Sequence, residues 1–192
     1  SLFSFQGEGE LTVVLVGERR TSSLPARRAS RVRRFYYPIR LPDTVNVMDK
    51  PAIAMEAILA NVRYVQPELV RQHAMEVWRH DEYKALKPTG KTHTHNNGDE
   101  AFLMALVGTI PIVFKGGIYH IPVEIVVCES FPFEAPLCFV RPVAGMEIKR
   151  HHKYVSADGS VNHRYLSYWQ PDSHRIATLV QQMVDIFSRD PP

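Results

Sequence analysis

The chain has 192 residues and 45% hydrophobic content, enough for one well-buried domain plus an appendage, so a single core is expected. Its net charge of +3 is concentrated: Arg19, Arg20, Arg27, Arg28, Arg31, Arg33 and Arg34 supply seven of the 23 basic residues in a stretch without an acid, and removing them leaves 16 basic against 20 acidic residues, a net of −4. That balance argues against a nucleic-acid face on the folded part, and with no apolar run near the roughly 20 residues a bilayer crossing needs, a soluble protein without membrane insertion is expected.

Residues 1–45 mix Gly, Ser, Pro and Arg around one short apolar run, LTVVLV. They read as an N-terminal extension, flexible or strapped over the domain. The run is too short and too acidic on its N-terminal side for a secretory signal, and Glu8, Glu10 and Glu18 precede the arginine patch, unlike a mitochondrial presequence. The domain itself is expected over 46–192. Pro51, Ile53, Ala57, Ile58, Val62 and Val65 predict a helix over 48–65. Pro67 restarts the pattern, since proline at a first helical position has no need of an N–H partner. Val70, Ala74, Val77 and Trp78 then form an apolar stripe that ends near Leu86 and places Trp78 in the core.

Lys87 to Glu100 is polar and contains His93 and His95 on one face of a strand. Without a nearby Cys or further His to complete a metal set, the stretch reads as a hairpin arm with its tip at Asn96-Asn97-Gly98, returning along Phe102 to Val107. From Val107 to Pro142 three strand-like runs follow one another, separated by Lys115-Gly116-Gly117 and by the proline-bracketed Phe131 to Pro136. This is punctuation for a β-meander. A Gly-Gly turn would set Phe114 opposite Tyr119, with Ile125 and Val127 pointing inward. Cys128 and Cys138 lie inside these runs and are expected to be buried thiols rather than a disulfide, ligands or nucleophiles. Residues 143–170 have no sustained period, only turn signals at Ala144-Gly145 and Ala157-Asp158-Gly159. Ile176, Leu179, Val180, Met183, Val184 and Phe187 predict a closing amphipathic helix with Asp172 or Ser173 as its N-cap. The order of helices, antiparallel meander, irregular segment and helix defines an α+β domain with helices against one sheet.

These residues carry a family resemblance. The ordering, with Phe131-Pro132-Phe133-Glu134-Ala135-Pro136, is similar to the ubiquitin-conjugating (UBC) fold, whose third strand is followed by a Tyr-Pro-x-x-Pro-Pro type turn. Val107-Gly108-Thr109-Ile110-Pro111, Gly116 to Pro122, Phe139-Val140-Arg141-Pro142, Met146 and Tyr154 to Trp169 resemble more closely the ubiquitin-conjugating enzyme variant (UEV) domain of ESCRT-I sorting subunits of the tumour-susceptibility and Vps23 type. The match covers residues 66–192 and leaves the helix over 48–65 as an addition. An active enzyme of this fold needs a cysteine after a Gly-x-Ile-like turn, because a thiolate both accepts ubiquitin's carbonyl and leaves afterwards. Here Gly159-Ser160-Val161 is followed by Asn162, and an amide forms no thioester. The resemblance therefore implies binding without catalysis and without a cofactor.

What it implies is a cytoplasmic module, recruited to endosomal membranes, that binds ubiquitin and short Pro-Thr/Ser-Ala-Pro peptides, with other ESCRT-I subunits engaged through regions outside this chain. The family's peptide groove carries over to Thr109, Phe114, Tyr119, Pro122, Val143 and Met146; Phe114 stands where a tyrosine is usual and Val143 where a threonine is usual. An extended proline-rich peptide has little entropy to lose, and flat rings grip its pyrrolidines. The chain stops just before the segment that forms one wall of that groove in the family. Ubiquitin contacts carry over to Asn96 and Asn97 at the arm tip and to Phe139 and Arg141 on the strand. The alternative is a UEV cofactor that pairs with an active conjugating enzyme to orient acceptor ubiquitin for chain formation.

Overall fold

The computed structural model describes residues 50–94, 98 and 100–192. The N-terminal extension, the first residues of the predicted helix over 48–65, and His95, Asn96 and Asn97 lie outside them. Helix α1 spans Lys50–Leu59 and buries Met55, Ile58 and Leu59. It ends short of Val65, because the chain leaves the helix to bury Val62 and Tyr64. The Tyr64 hydroxyl accepts the Met104 N–H at 2.8 Å and donates to the Val127 carbonyl at 3.1 Å, bridging two strands.

Helix α2, Pro67–Arg79, starts on its proline and buries Val70, His73, Ala74 and Val77. Trp78, expected in the core, is only half-buried. The helix also stops before Leu86: Tyr83 N–H bonds the His80 carbonyl and Leu86 N–H the Tyr83 carbonyl, turns that bury Tyr83 and Leu86 as the chain enters the sheet.

Four antiparallel strands follow in sequence order: β1 Lys87–Thr94, β2 Glu100–Phe114, β3 Gly117–Val127 and β4 Leu137–Val140. Leu103–Leu106 on β2 and Val123–Val127 on β3 are continuously buried. Successive strand residues point to opposite faces, so this half of the sheet is covered on both. Beyond Val107, where β1 ends its pairing, β2 alternates and the β2–β3 hairpin opens to solvent. Ile125 and Val127 are fully buried, as the meander pattern requires.

Residues 143–170 hold β4 from its outer side. Val140 N–H bonds the Gly159 carbonyl and Val161 N–H the Cys138 carbonyl, both at 2.8 Å. The expected turns are present, with Gly145 and Gly159 at positive φ. A single helical turn, α3 (Arg164–Ser167), is capped by His163, whose ring accepts the Tyr165 N–H. Trp169 Nε1 then donates to the Pro132 carbonyl at 2.8 Å.

Helix α4, Ile176–Arg189, buries Ile176, Leu179, Val180, Met183, Ile186 and Phe187; Val184 is half-buried. Its N-cap is Arg175 rather than Asp172 or Ser173, and no local side chain caps it. Instead His73, from α2, receives the Ile176 N–H on Nδ1 at 3.3 Å. The helix start is thus fixed by a tertiary contact that replaces the local cap.

Candidate functional site

Two groups of side chains stand out on the sheet. The first is built on the β2–β3 hairpin. Phe114 pairs with Gly117, so the loop is Lys115-Gly116, with φ of 49° and 80°. Both values are left-handed, the requirement of a two-residue hairpin turn. The Gly116-Gly117 turn expected from the sequence is displaced by one residue, and Tyr119 faces Ile112 instead of Phe114. Pro111 and Pro122 fit within paired strands because of where their missing N–H would point. Val113, on the same side of β2 as Pro111, donates its N–H outward to Ser188 Oγ on α4. The Pro122 carbonyl accepts the Arg141 N–H just beyond the end of β4. Proline sits on such open edges without losing a ladder bond.

Period-two alternation along this unbroken register sorts the predicted peptide residues. Thr109 and its partner Pro122 share one face; Phe114 and Tyr119 share the other. Tyr119 is 53% exposed, and its ring leans over Gly117. Val143 and Met146, 56% and 46% exposed, lie in the turn that follows Arg141, joined by a Met146 N–H to Val143 carbonyl bond. Through the Arg141–Pro122 bond this turn continues from the edge that carries Thr109 and Pro122.

The second group centres on β4. Glu124, on β3, is 2% exposed and lies in register with Val107 on β2 and Phe139 on β4. Its carboxylate takes Lys91 Nζ from β1 at 2.5 Å and Arg141 Nε at 2.6 Å. The Arg141 guanidinium lies 4.1 Å from the centre of the Phe139 ring, and the His93 ring sits 6.4 Å from Phe139. Burial alone would raise the Glu124 carboxyl, but the hydrogen bonds and charges of Lys91 and Arg141 outweigh it and hold the group below the ordinary carboxylate range. Of the four residues predicted to contact ubiquitin, the structure thus joins Phe139 to Arg141. Asn96 and Asn97 lie outside the described residues.

Asn162 is exposed in a cleft of about 850 Å³ lined also by Arg141, Lys149, Arg150, Lys153 and Tyr154. Its amide donates to Ser156 Oγ at 2.8 Å and its N–H to the Tyr154 carbonyl. The two thiols are elsewhere and inert. Burial pushes Cys128 up to about 11 and Cys138 higher still, so neither presents a thiolate at neutral pH. Among the described residues no group of three His, Cys, Asp or Glu could hold a metal ion, and no helix is long and apolar enough to cross a membrane.

The sequence reading missed Glu124 and Lys91, and took His93 only as part of the hairpin arm. Glu124 did leave a signal, as a lone acid in the apolar run IPVEIVV, and alternation from Ile125 and Val127 would have set it on the opposite face. Lys91 left none, because it reaches Glu124 across an intervening strand.

A four-stranded antiparallel meander with a helix entering it and a long amphipathic helix closing it is the ubiquitin-conjugating-like architecture. The yeast Vps23 UEV domain solved with a Vps27 PSDP peptide matches with a TM-score of 0.59 at 18% identity, over 71% of this chain and 91% of that one. A complex of the Vps23 UEV with ubiquitin matches with a TM-score of 0.59 at 19% identity, over 74% and 97%. The family model for the UEV domain matches residues 57–192, and the chain belongs to that family. UEV domains are non-catalytic variants of the conjugating fold, so the chain is not a conjugating enzyme. It is 37% identical over 110 residues to the mouse tumor susceptibility gene 101 protein, covering 57% of this chain and 28% of that protein. To Protein ELC of Arabidopsis thaliana it is 39% identical over 124 residues, 65% of this chain and 31% of the relative. The chain thus spans less than a third of the length of these relatives.

Proposed function

We propose that this chain is a ubiquitin- and proline-motif-reading module of an ESCRT-I subunit, acting in endosomal sorting of ubiquitinated cargo and in membrane budding. The observation that carries this reading is the exposure of Tyr119, Val143 and Met146 at one end of the sheet, large apolar side chains that a folded core would otherwise bury. The ligands held by the Vps23 structures, a PSDP peptide and ubiquitin, support assigning one group of residues to each. Thr109, Phe114, Tyr119, Pro122, Val143 and Met146 serve the peptide; Asn96, Asn97, Phe139 and Arg141 serve ubiquitin. Phe114 and Val143 lack the hydroxyls usual at those positions in the family, so shape and aromatic contact carry more of the peptide's recognition here than hydrogen bonds do. Asn162 occupies the position of the conjugating cysteine, in an open cleft with no thiolate near it. Domain boundaries at 46–192, with α1 as an addition ahead of the family's first helix, complete this reading.

The test is a pair of titrations, one against ubiquitin and one against a Pro-Thr-Ala-Pro peptide. A small interface predicts a ubiquitin Kd on the order of 10⁻⁴ M, about −5.5 kcal/mol, with shifts in the arm and at Phe139. Absence of any shift at Phe139 or Arg141 would remove the ubiquitin half of the proposal.

A further inference from the structure

We infer that Glu124 is a positioning residue for the ubiquitin-reading surface, acting through Arg141, and that the partner must offer an oxygen acceptor beside an apolar side chain at this point. The inference rests on the reading of Phe139 and Arg141 as a ubiquitin contact and adds what holds them in place. Phe139 fixes the stacking plane, with the guanidinium 4.1 Å from its ring centre. Glu124 fixes the direction of that plane: its Oε2 takes Arg141 through Nε at 2.6 Å. This contact occupies the inner edge of the guanidinium and leaves the Nη edge of a half-exposed side chain for a partner.

The second carboxylate oxygen is tied to Lys91 Nζ at 2.5 Å, reaching from β1 across β2. The carboxylate is therefore held from two sides and cannot turn away, and as a 2% exposed group it does not meet the partner itself. Lys91 and Arg141 are balanced by Glu124 and by Asp158, whose carboxyl feels the Arg141 charge, so the partner is selected by geometry: a planar guanidinium edge prefers carboxylate or carbonyl oxygen arranged in its plane. The ring and the stacked guanidinium together accept an apolar side chain with an oxygen acceptor next to it. A freely rotating arginine at the same position would lose rotamer entropy on binding; Glu124 removes that loss in advance.

The experiment is a double-variant cycle on the described domain in its full chain: Glu124→Gln, Arg141→Lys and the two combined. Ubiquitin affinity is read by NMR titration, together with the Arg141 Nε–H resonance and the thermal midpoint. Gln at 124 keeps the shape but offers one oxygen and turns its NH₂ toward a cation; Lys at 141 keeps the charge but loses the plane. Each single variant should weaken ubiquitin binding about three- to tenfold. The combined variant should be no weaker than Arg141→Lys within about twofold, and Glu124→Gln should broaden the Arg141 Nε–H signal while the domain stays folded. A Glu124→Gln protein that binds within twofold of the parent overturns the inference, as do losses that add fully in the combined variant. If the parent chain itself shows no ubiquitin binding, the ubiquitin reading falls and this inference with it; that case is told apart because the failure precedes any substitution.

Discussion

The two proposed surfaces are built by opposite means on one sheet. The hairpin end of β2 and β3 is shaped by local chemistry: a left-handed Lys115-Gly116 turn, two prolines on open edges, and the exposed ring of Tyr119. The Phe139–Arg141 face is shaped by distant partners, since β1, β3 and β4 each supply a group to the Glu124 cluster. An open surface held by its backbone can change side chains with little cost to the fold, whereas a face held by a buried charge transmits a change at one residue to its neighbours.

The strand segment where these regions meet should be the most sensitive. A Cβ on Gly108 would stand 2.0 Å from the Ala85 carbonyl oxygen, which is backbone and has no room to move aside. Gly108→Ala must push β2 away from the turn that leads into β1, so a loss of about 3 kcal/mol or more is expected, read as a fall in the urea midpoint. Both surfaces should weaken together in that variant. If only one does, the segment is not their shared support.

His73 tests the far side of the same comparison, because it pins the start of the helix whose Ser188 holds Val113 of the hairpin. Burial, and then the charge of Arg175 beside it, lowers His73 from 6.5 to about 4. The unfolded chain takes up this proton below pH 6.5 while the folded one resists it to about 4. Stability is therefore complete above pH 6.5 and falls as pH drops through that window, by about 3 kcal/mol in all. His163, also lowered by burial, contributes in the same direction. Denaturation midpoints at pH 7 and pH 5 for the parent and for His73→Gln separate the two: the slope should flatten in the variant.

Tyr64→Phe acts within the covered half. It removes the hydroxyl that satisfies both Met104 N–H and the Val127 carbonyl, and two buried backbone groups left unpaired cost about 2 kcal/mol. Neither surface contains Tyr64, so ubiquitin and peptide affinities of the folded protein should be unchanged in titrations at 25 °C. A change in either would mean that the covered half tunes the surfaces as well as supporting them.

The same division explains what the sequence disclosed. The meander, the α2 start at Pro67 and the buried stripe of α4 depend on period and on proline chemistry, and these are local. The positions that escaped depend on partners far along the chain. Nothing near residue 173 tells that His73 will cap α4, and nothing near Val65 tells that Tyr64 will leave its helix to bridge two strands. The shift of the hairpin turn to Lys115-Gly116 is subtler: two glycines in succession are the stronger turn signal, yet the register of β2 and β3 puts a lysine in a left-handed conformation instead. Cross-strand packing outweighed local preference by one residue.

The smallest effect on stability should carry the largest effect on recognition. Tyr119 is 53% exposed and its ring rests on a glycine. Tyr119→Ala should therefore cost under about 0.5 kcal/mol of stability. Its ring is nevertheless a flat exposed platform of the kind that grips a proline, so binding of a Pro-Thr-Ala-Pro peptide should fall about tenfold or more while ubiquitin binding stays within twofold. Asn97→Ala should do the reverse. If Tyr119→Ala weakened both ligands equally, the hairpin and the Phe139–Arg141 face would form one continuous site, and the Arg141–Pro122 backbone bond that joins their edges would be the place to look for their coupling.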